Sequence, residues 1–149
     1  MTSRVYVAGV GMIPFVKPGA NAPYPVMGAE ATKLALADAG LGYDTIQQAY
    51  VGYVYGDSTC GQRALYQVGM SGIPILNVNN NCSTGSTALF MARQAIESGA
   101  LDCVLALGFE QMKPGALGAV FTDRPSAFDE FDAAADKLVD APGVPLALR

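Results

Sequence analysis

The sequence predicts an α/β fold, a mainly parallel sheet with helices on both of its faces. Three observations carry that expectation. Short β-rich runs alternate with stretches of helical periodicity. Gly40 and Gly99 stand where the two clearest helices should stop. The run Leu101–Phe109 is almost wholly apolar, as a central strand covered on both faces requires.

Taken in order, Val5–Val10 is a β-rich run ended by Gly11 and is expected to be the first strand. Met12–Pro25 holds four prolines and is expected as a loop. In Val26–Ala39 the residues Met27, Ala31, Leu34 and Ala35 recur at helical spacing. Ile46–Tyr55 contains the aromatic and β-branched run of a buried strand, followed by a turn at Gly56–Thr59. Gln62–Gly69 is a short helix, and Ile73–Val78 a third strand whose Pro74 suits an edge or a strand start. Thr84–Ser98 is the clearest helix, Leu101–Phe109 the next strand, and Ser126–Val139 an acidic, Ala-rich helix after a loop over Lys113–Arg124. This pattern divides the chain into a core over residues 1–112 and a different, truncated region over 113–149.

The bulk numbers exclude several function classes. Hydrophobic residues make up 51 % and charged residues 15 %, a globular composition with too little charge for a fully solvated small domain. Part of the surface is therefore expected to be buried against something else. With a net charge of −4 there is no basic stripe for nucleic acid. No apolar run approaches the ~18 residues of a membrane span. Cys60, Cys82 and Cys103 are an odd set with no export signal ahead of them, which favours free thiols in a reducing compartment: the cytoplasm, or the peroxisome in a eukaryote. Gly9-Val10-Gly11 lacks the third spaced glycine and the following helix of a dinucleotide loop. Asp123, Asp129, Glu130 and Asp132 have no metal-ligand spacing, so no metal is expected.

The chemistry is carried by Ile75-Leu76-Asn77-Val78-Asn79-Asn80-Asn81-Cys82-Ser83-Thr84-Gly85-Ser86. A strand delivers the chain to a polar turn, and a long helix follows Cys82 directly. A thiol there meets unpaired helix N–H groups and the positive end of the helix dipole, which favour a thiolate. The same N–H groups can stabilise an oxyanion on an acyl group bonded to the sulfur. Ser83, Gly85 and Ser86 are small enough to let a substrate approach. The asparagines serve turn geometry and helix capping, with Asn81 also a candidate substrate contact.

The segment Asn79–Ser86 resembles the nucleophile segment of the sterol-carrier-protein-type thiolases. Val5–Met12, Val51–Arg63 and Cys103–Glu110 are similar to the same subfamily, in the same order, and the likeness runs from about Arg4 to Phe131. The resemblance implies the N-terminal half of a thiolase fold, incomplete in itself. It implies acyl transfer between coenzyme A thioesters with Cys82 as nucleophile, Asn81, Ser83 and Gly85 near the substrate, and no tightly bound cofactor. Coenzyme A would be a substrate. It also implies a homodimer paired through the strand Ile73–Val78. The family's remaining catalytic groups, two histidines and a second cysteine, lie in its C-terminal half, and this chain has no histidine. Retention of the cysteine favours acyl transfer over the retro-aldol cleavage of relatives that lack it. A non-catalytic subunit completed by a partner chain and a ketoacyl-synthase relative are the alternatives.

Overall fold

The computed structural model describes residues 4–113 and 121–139. They fall in two compact units, Met1–Pro114 and Gly115–Arg149. The first unit holds a three-stranded sheet of β1 (Gln48–Gly52), β2 (Ile75–Val78) and β3 (Val104–Gly108), all parallel, in the order β2-β1-β3. Ala49 stands opposite Ile75 on one side and Leu105 on the other. Helices α1 (Tyr24–Ala39) and α2 (Cys60–Leu65) pack on one face and α3 (Thr84–Glu97) on the other. The expected α/β layering is therefore present among the described residues.

Two cores follow from alternation along the strands. Ala49, Val51, Leu105 and Leu107 point to the α1/α2 face, where Leu65 and Val51 are fully buried. Truncating such a leucine to alanine removes about 2–5 kcal/mol. On the opposite face, Tyr50 packs against Ala88 and Ala92 of α3. The buried positions of α3, Thr84, Ala88 and Ala92, recur every four residues, and their small side chains let the helix lie close to the sheet.

α1 begins two residues before Val26, because Pro25 falls in its first turn, where a missing N–H costs nothing. Pro74 precedes β2 and contributes only its carbonyl, which accepts from Ala49 N–H at 3.0 Å. β2 is an edge strand. Its Asn77 side chain accepts from Gly61 N–H at 2.8 Å and donates to Gln62 Oε1 at 2.7 Å, tying α2 to that edge.

Two expectations need correction. Val5–Val10 is not a strand: the run lies along α1, with Val10 N–H donating to Asp38 Oδ2 at 2.8 Å. Gly9 and Gly11 allow that approach, since a β-carbon on Gly9 would stand 2.5 Å from Ala39 N. A cleft of about 680 Å³, lined by Val5, Val7, Leu89 and Val104 among others, separates this run from β3. β-propensity needs a neighbouring strand to be realised, and none adjoins the run among the described residues. The second correction concerns Leu101–Phe109. Only Val104–Gly108 is strand, and it lies at a sheet edge rather than the centre, with Ala106 and Gly108 exposed. An apolar run reports burial of side chains but not the number of neighbouring strands.

In the second unit, α4 (Asp129–Val139) places Asp129, Glu130 and Asp132 in its first turn, where the helix dipole favours negative charge. Arg124 pairs with Asp123 at 2.8 Å. The last ten residues of the expected truncated region, 140–149, lie outside the described residues, as do 114–120 within its loop.

Candidate active site

β2 ends at Val78 and α3 starts at Thr84, leaving a five-residue turn, Asn79–Ser83, at the carboxyl end of the sheet. The asparagines shape it. Asn79 Oδ1 accepts from Asn81 N–H at 3.1 Å, which bends the chain back on itself. Asn81 then takes a left-handed conformation, φ 48°, which asparagine tolerates better than most residues. Cys82 follows immediately, exposed to solvent, with its Sγ 3.7 Å from Asn81 Oδ1.

The other predicted site residues are distributed as follows. Ser83 occupies the N-cap position of α3 but does not cap it; its hydroxyl donates to Asn80 O at 2.8 Å. Gly85 is exposed, and a β-carbon there would meet nothing within 4 Å, so the helix start is open beside Cys82. Thr84 N–H donates to Asn81 O at 3.1 Å and Thr87 N–H to Ser83 O at 2.9 Å. Among the described residues, the N–H groups of Gly85 and Ser86 have no such acceptor. First-turn N–H groups of this kind point toward the residue before the helix. Asn81 Oδ1 thus stands beside Cys82 Sγ, Gly85 is exposed on the first turn of α3, and the Ser83 hydroxyl is turned to the backbone.

Sequence reasoning assigned the asparagines to the turn but missed the partners that hold it, Thr84 and Thr87. Asn80 N–H donates to Thr84 Oγ1 at 2.7 Å, and Asn80 Nδ2 to Thr87 Oγ1 at 2.9 Å. Thr84 is only 4 % exposed. The spacing of Asn80 and Thr84, four apart across a helix start, was the available signal. Glu110 was also missed: its carboxylate accepts from Val54 N–H at 2.8 Å and Tyr55 N–H at 3.0 Å, tying the residues after β3 to those after β1.

The other two thiols are structural. Cys60 is 3 % exposed in the core. Its N–H donates to the Tyr53 hydroxyl at 3.2 Å, and Phe109 stacks between Tyr24 and Tyr53 at 5.3 Å from each. Hydrogen bonding to the Cys60 side chain, then burial, pushes the Tyr24 phenol up to about 12. Burial also raises Tyr53. Cys103 is half-buried ahead of β3. Among the described residues no group of three or more His, Cys, Asp or Glu could hold a metal, and no helix is long and apolar enough to cross a membrane.

Comparison with known proteins decides the family. Residues 5–131 match the family "Thiolase, N-terminal domain". The chain belongs to the thiolase family. Within it, the chain is 60 % identical over 132 residues to sterol carrier protein 2 of Gallus gallus, covering 87 % of this chain and 24 % of that protein. It is 34 % identical over 109 residues to benzoylsuccinyl-CoA thiolase subunit BbsB of Thauera aromatica, covering 72 % of this chain and 28 % of that one. This thiolase-family chain therefore spans about a quarter of the length of the relatives it matches. Among solved structures, 3-oxoacyl-(acyl-carrier-protein) synthase III of Aquifex aeolicus VF5 superposes with a TM-score of 0.56 at 22 % identity, over 64 % of this chain and 32 % of that one, a likeness of fold alone.

Proposed function

We propose that this thiolase-family chain supplies the acyl-accepting nucleophile of a 3-ketoacyl-CoA thiolase, and that Cys82 is that nucleophile. The observation that carries the proposal is an exposed thiol on a turn with a left-handed residue, two residues ahead of a helix in which, among the described residues, the Gly85 and Ser86 N–H groups have no backbone acceptor. The Cys82 thiolate attacks the 3-keto carbon, and the bond between C2 and C3 breaks. C2 leaves as the enolate of the CoA thioester that keeps C1 and C2, and takes up a proton, while the shortened acyl chain stays on Cys82. The thiol of free coenzyme A then attacks the acyl-cysteine, forming a new acyl-CoA and releasing Cys82. Reversal of these steps is condensation.

Proton transfer in both steps needs an acid/base. The 149 residues contain no histidine, and the curated relatives are about four times as long as the matched region, which supports residues outside this chain in that role. Relatives named as sterol carrier proteins and a CoA thiolase subunit support a lipid-derived acyl-CoA as the substrate class, with coenzyme A a substrate and no resident cofactor. Asn81 and Gly85 are the nearest candidates for substrate contact. The position of β2 at an edge of the sheet supports pairing of two copies through that strand.

The test is Cys82→Ala in the complete protein. Acyl exchange between thioesters is expected to fall by at least a thousandfold, and the mass of an acyl group is expected on the Cys82 peptide of the unsubstituted protein. Exchange at full rate without Cys82 would overturn the reading. The missing histidine also favours a second arrangement, in which a separate partner chain completes the site; this chain would then co-purify with that partner and show no turnover without it.

A further inference from the structure

Nothing attached to Cys82 itself fixes it. Its side chain is exposed, and among the described residues its one hydrogen-bond neighbour is Asn81 Oδ1, 3.7 Å from a sulfur that is a weak donor. The orientation of the thiol is inherited from the backbone on either side of it. Asn79 Oδ1 and Thr84 N–H each bond the backbone of Asn81, and Asn80 holds the turn to the helix through three of its own groups. Its N–H donates to Thr84 Oγ1 at 2.7 Å, and its Nδ2 to Thr87 Oγ1 at 2.9 Å. Its carbonyl accepts from Ser83 Oγ at 2.8 Å and Ser83 N–H at 3.2 Å. Thr87 Oγ1 closes the ring by donating to Ser83 O at 3.1 Å.

The anchor points are firm. Thr84 is buried, and Thr87 is half-buried on the second turn of α3. The clamp therefore ties the residue two before Cys82 and the residue one after it to the same rigid helix. We infer that Asn80, acting through Thr84 and Thr87, is the positioning residue for the Cys82 thiol. This rests on the assignment of Cys82 as the acyl acceptor. A reactive atom on an exposed turn gains rate from being held in one orientation, because misplacement by an ångström can lower a rate about a hundredfold. None of the three side chains has a role in the bonds made or broken, and none of them is a catalytic residue in that sense.

The experiment measures single-turnover acylation of Cys82 by acetyl-CoA in the complete protein, by mass of the Cys82 peptide, alongside steady-state kcat and KM. Thr87→Val keeps the shape and removes the hydroxyl; Thr87→Ser keeps the hydroxyl; Asn80→Ala removes the amide. Thr87→Val and Asn80→Ala are expected to slow acylation and kcat roughly ten- to hundredfold, with KM for the acyl-CoA within about twofold. Thr87→Ser is expected to restore most of the rate. Amide hydrogen exchange at Ser83 and Thr84 should accelerate in the two slow variants and not in Thr87→Ser. Acylation of both at the unsubstituted rate would overturn the positioning role while leaving Cys82 as nucleophile. Slow acylation that Thr87→Ser fails to restore would overturn it too. No acylation of the unsubstituted protein would instead overturn the acyl-transfer reading, and the positioning role with it.

Discussion

Gly52, the last residue of β1, meets Thr84, the first residue of α3, with no space for a side chain between them. A β-carbon on Gly52 would stand 2.6 Å from Thr84 Cγ2 and 2.7 Å from Thr84 O. The contact sets how near α3 begins to the sheet, and Thr84 in turn holds Asn80. Gly52→Ala is therefore expected to destabilise the complete protein by about 1–3 kcal/mol in chemical denaturation, the usual range for overpacking. Acylation of Cys82 should fall as well, because the helix start must move. Adding Thr84→Ser should recover only part of the loss, since it removes Cγ2 but not the carbonyl. Full recovery, or no loss at all, would show that the contact is not tight.

Asn81 separates two effects in the same turn. Its φ of 48° is tolerated by asparagine and glycine but strains a β-branched side chain. Asn81→Val is expected to cost about 1–2 kcal/mol. Asn81→Gly keeps the backbone and removes the amide beside Cys82 Sγ, so stability should change by no more than about 0.5 kcal/mol while acylation slows several-fold. If the valine variant were as stable as the glycine variant, the left-handed turn would be wrong.

Glu110 ties the ends of two strands without touching Cys82. Glu110→Ala leaves the N–H groups of Val54 and Tyr55 without their acceptor, and the group is half-buried. The expected loss is about 1–3 kcal/mol in denaturation, with Glu110→Gln losing roughly half as much because one oxygen remains. The acylation rate of the folded fraction should be unchanged. A variant with full stability and lost acylation would place Glu110 in the chemistry instead.

The parts legible from sequence were those set by local rules. α1 and α3 follow from apolar spacing and the glycines after them, and the position of Cys82 follows from a strand, a polar turn and a helix in succession. What sequence did not give is what depends on distant neighbours. Val5–Val10 has the residues of a strand but lies on α1, because pairing, not propensity, makes a strand. β3 has the composition of a central strand but occupies an edge. Cys60 follows a polar turn yet lies in the core as the first residue of α2. Around the site, a threonine hydroxyl in the first turn could cap, back-bond or face solvent; the four-residue spacing points Thr84 to Asn80, but only the fold directs Thr87 there. A glycine at a strand end suggests a turn; that Gly52 makes room for Thr84 is visible only once β1 and α3 are packed.

Alkaline pH should find a weak point at Tyr24. Its phenol is pushed up from the ordinary 10.0 to about 12, first through hydrogen bonding to the Cys60 side chain and then through burial. Burial raises Tyr43 and Tyr53 in the same direction. A raised folded-state value means that the folded protein holds its proton where the unfolded chain has released it. The contribution to stability is therefore complete below pH 10 and declines as pH rises from about 10 toward about 12. Tyrosinate absorbance of the folded protein should show these three of its seven tyrosines titrating late. The denaturation midpoint should fall over the same interval. Cys60→Ala removes the first cause and should bring Tyr24 back toward its ordinary value, with a shallower decline of stability above pH 10. If Tyr24 titrated equally late in that variant, the Cys60 side chain would not be what protects its proton.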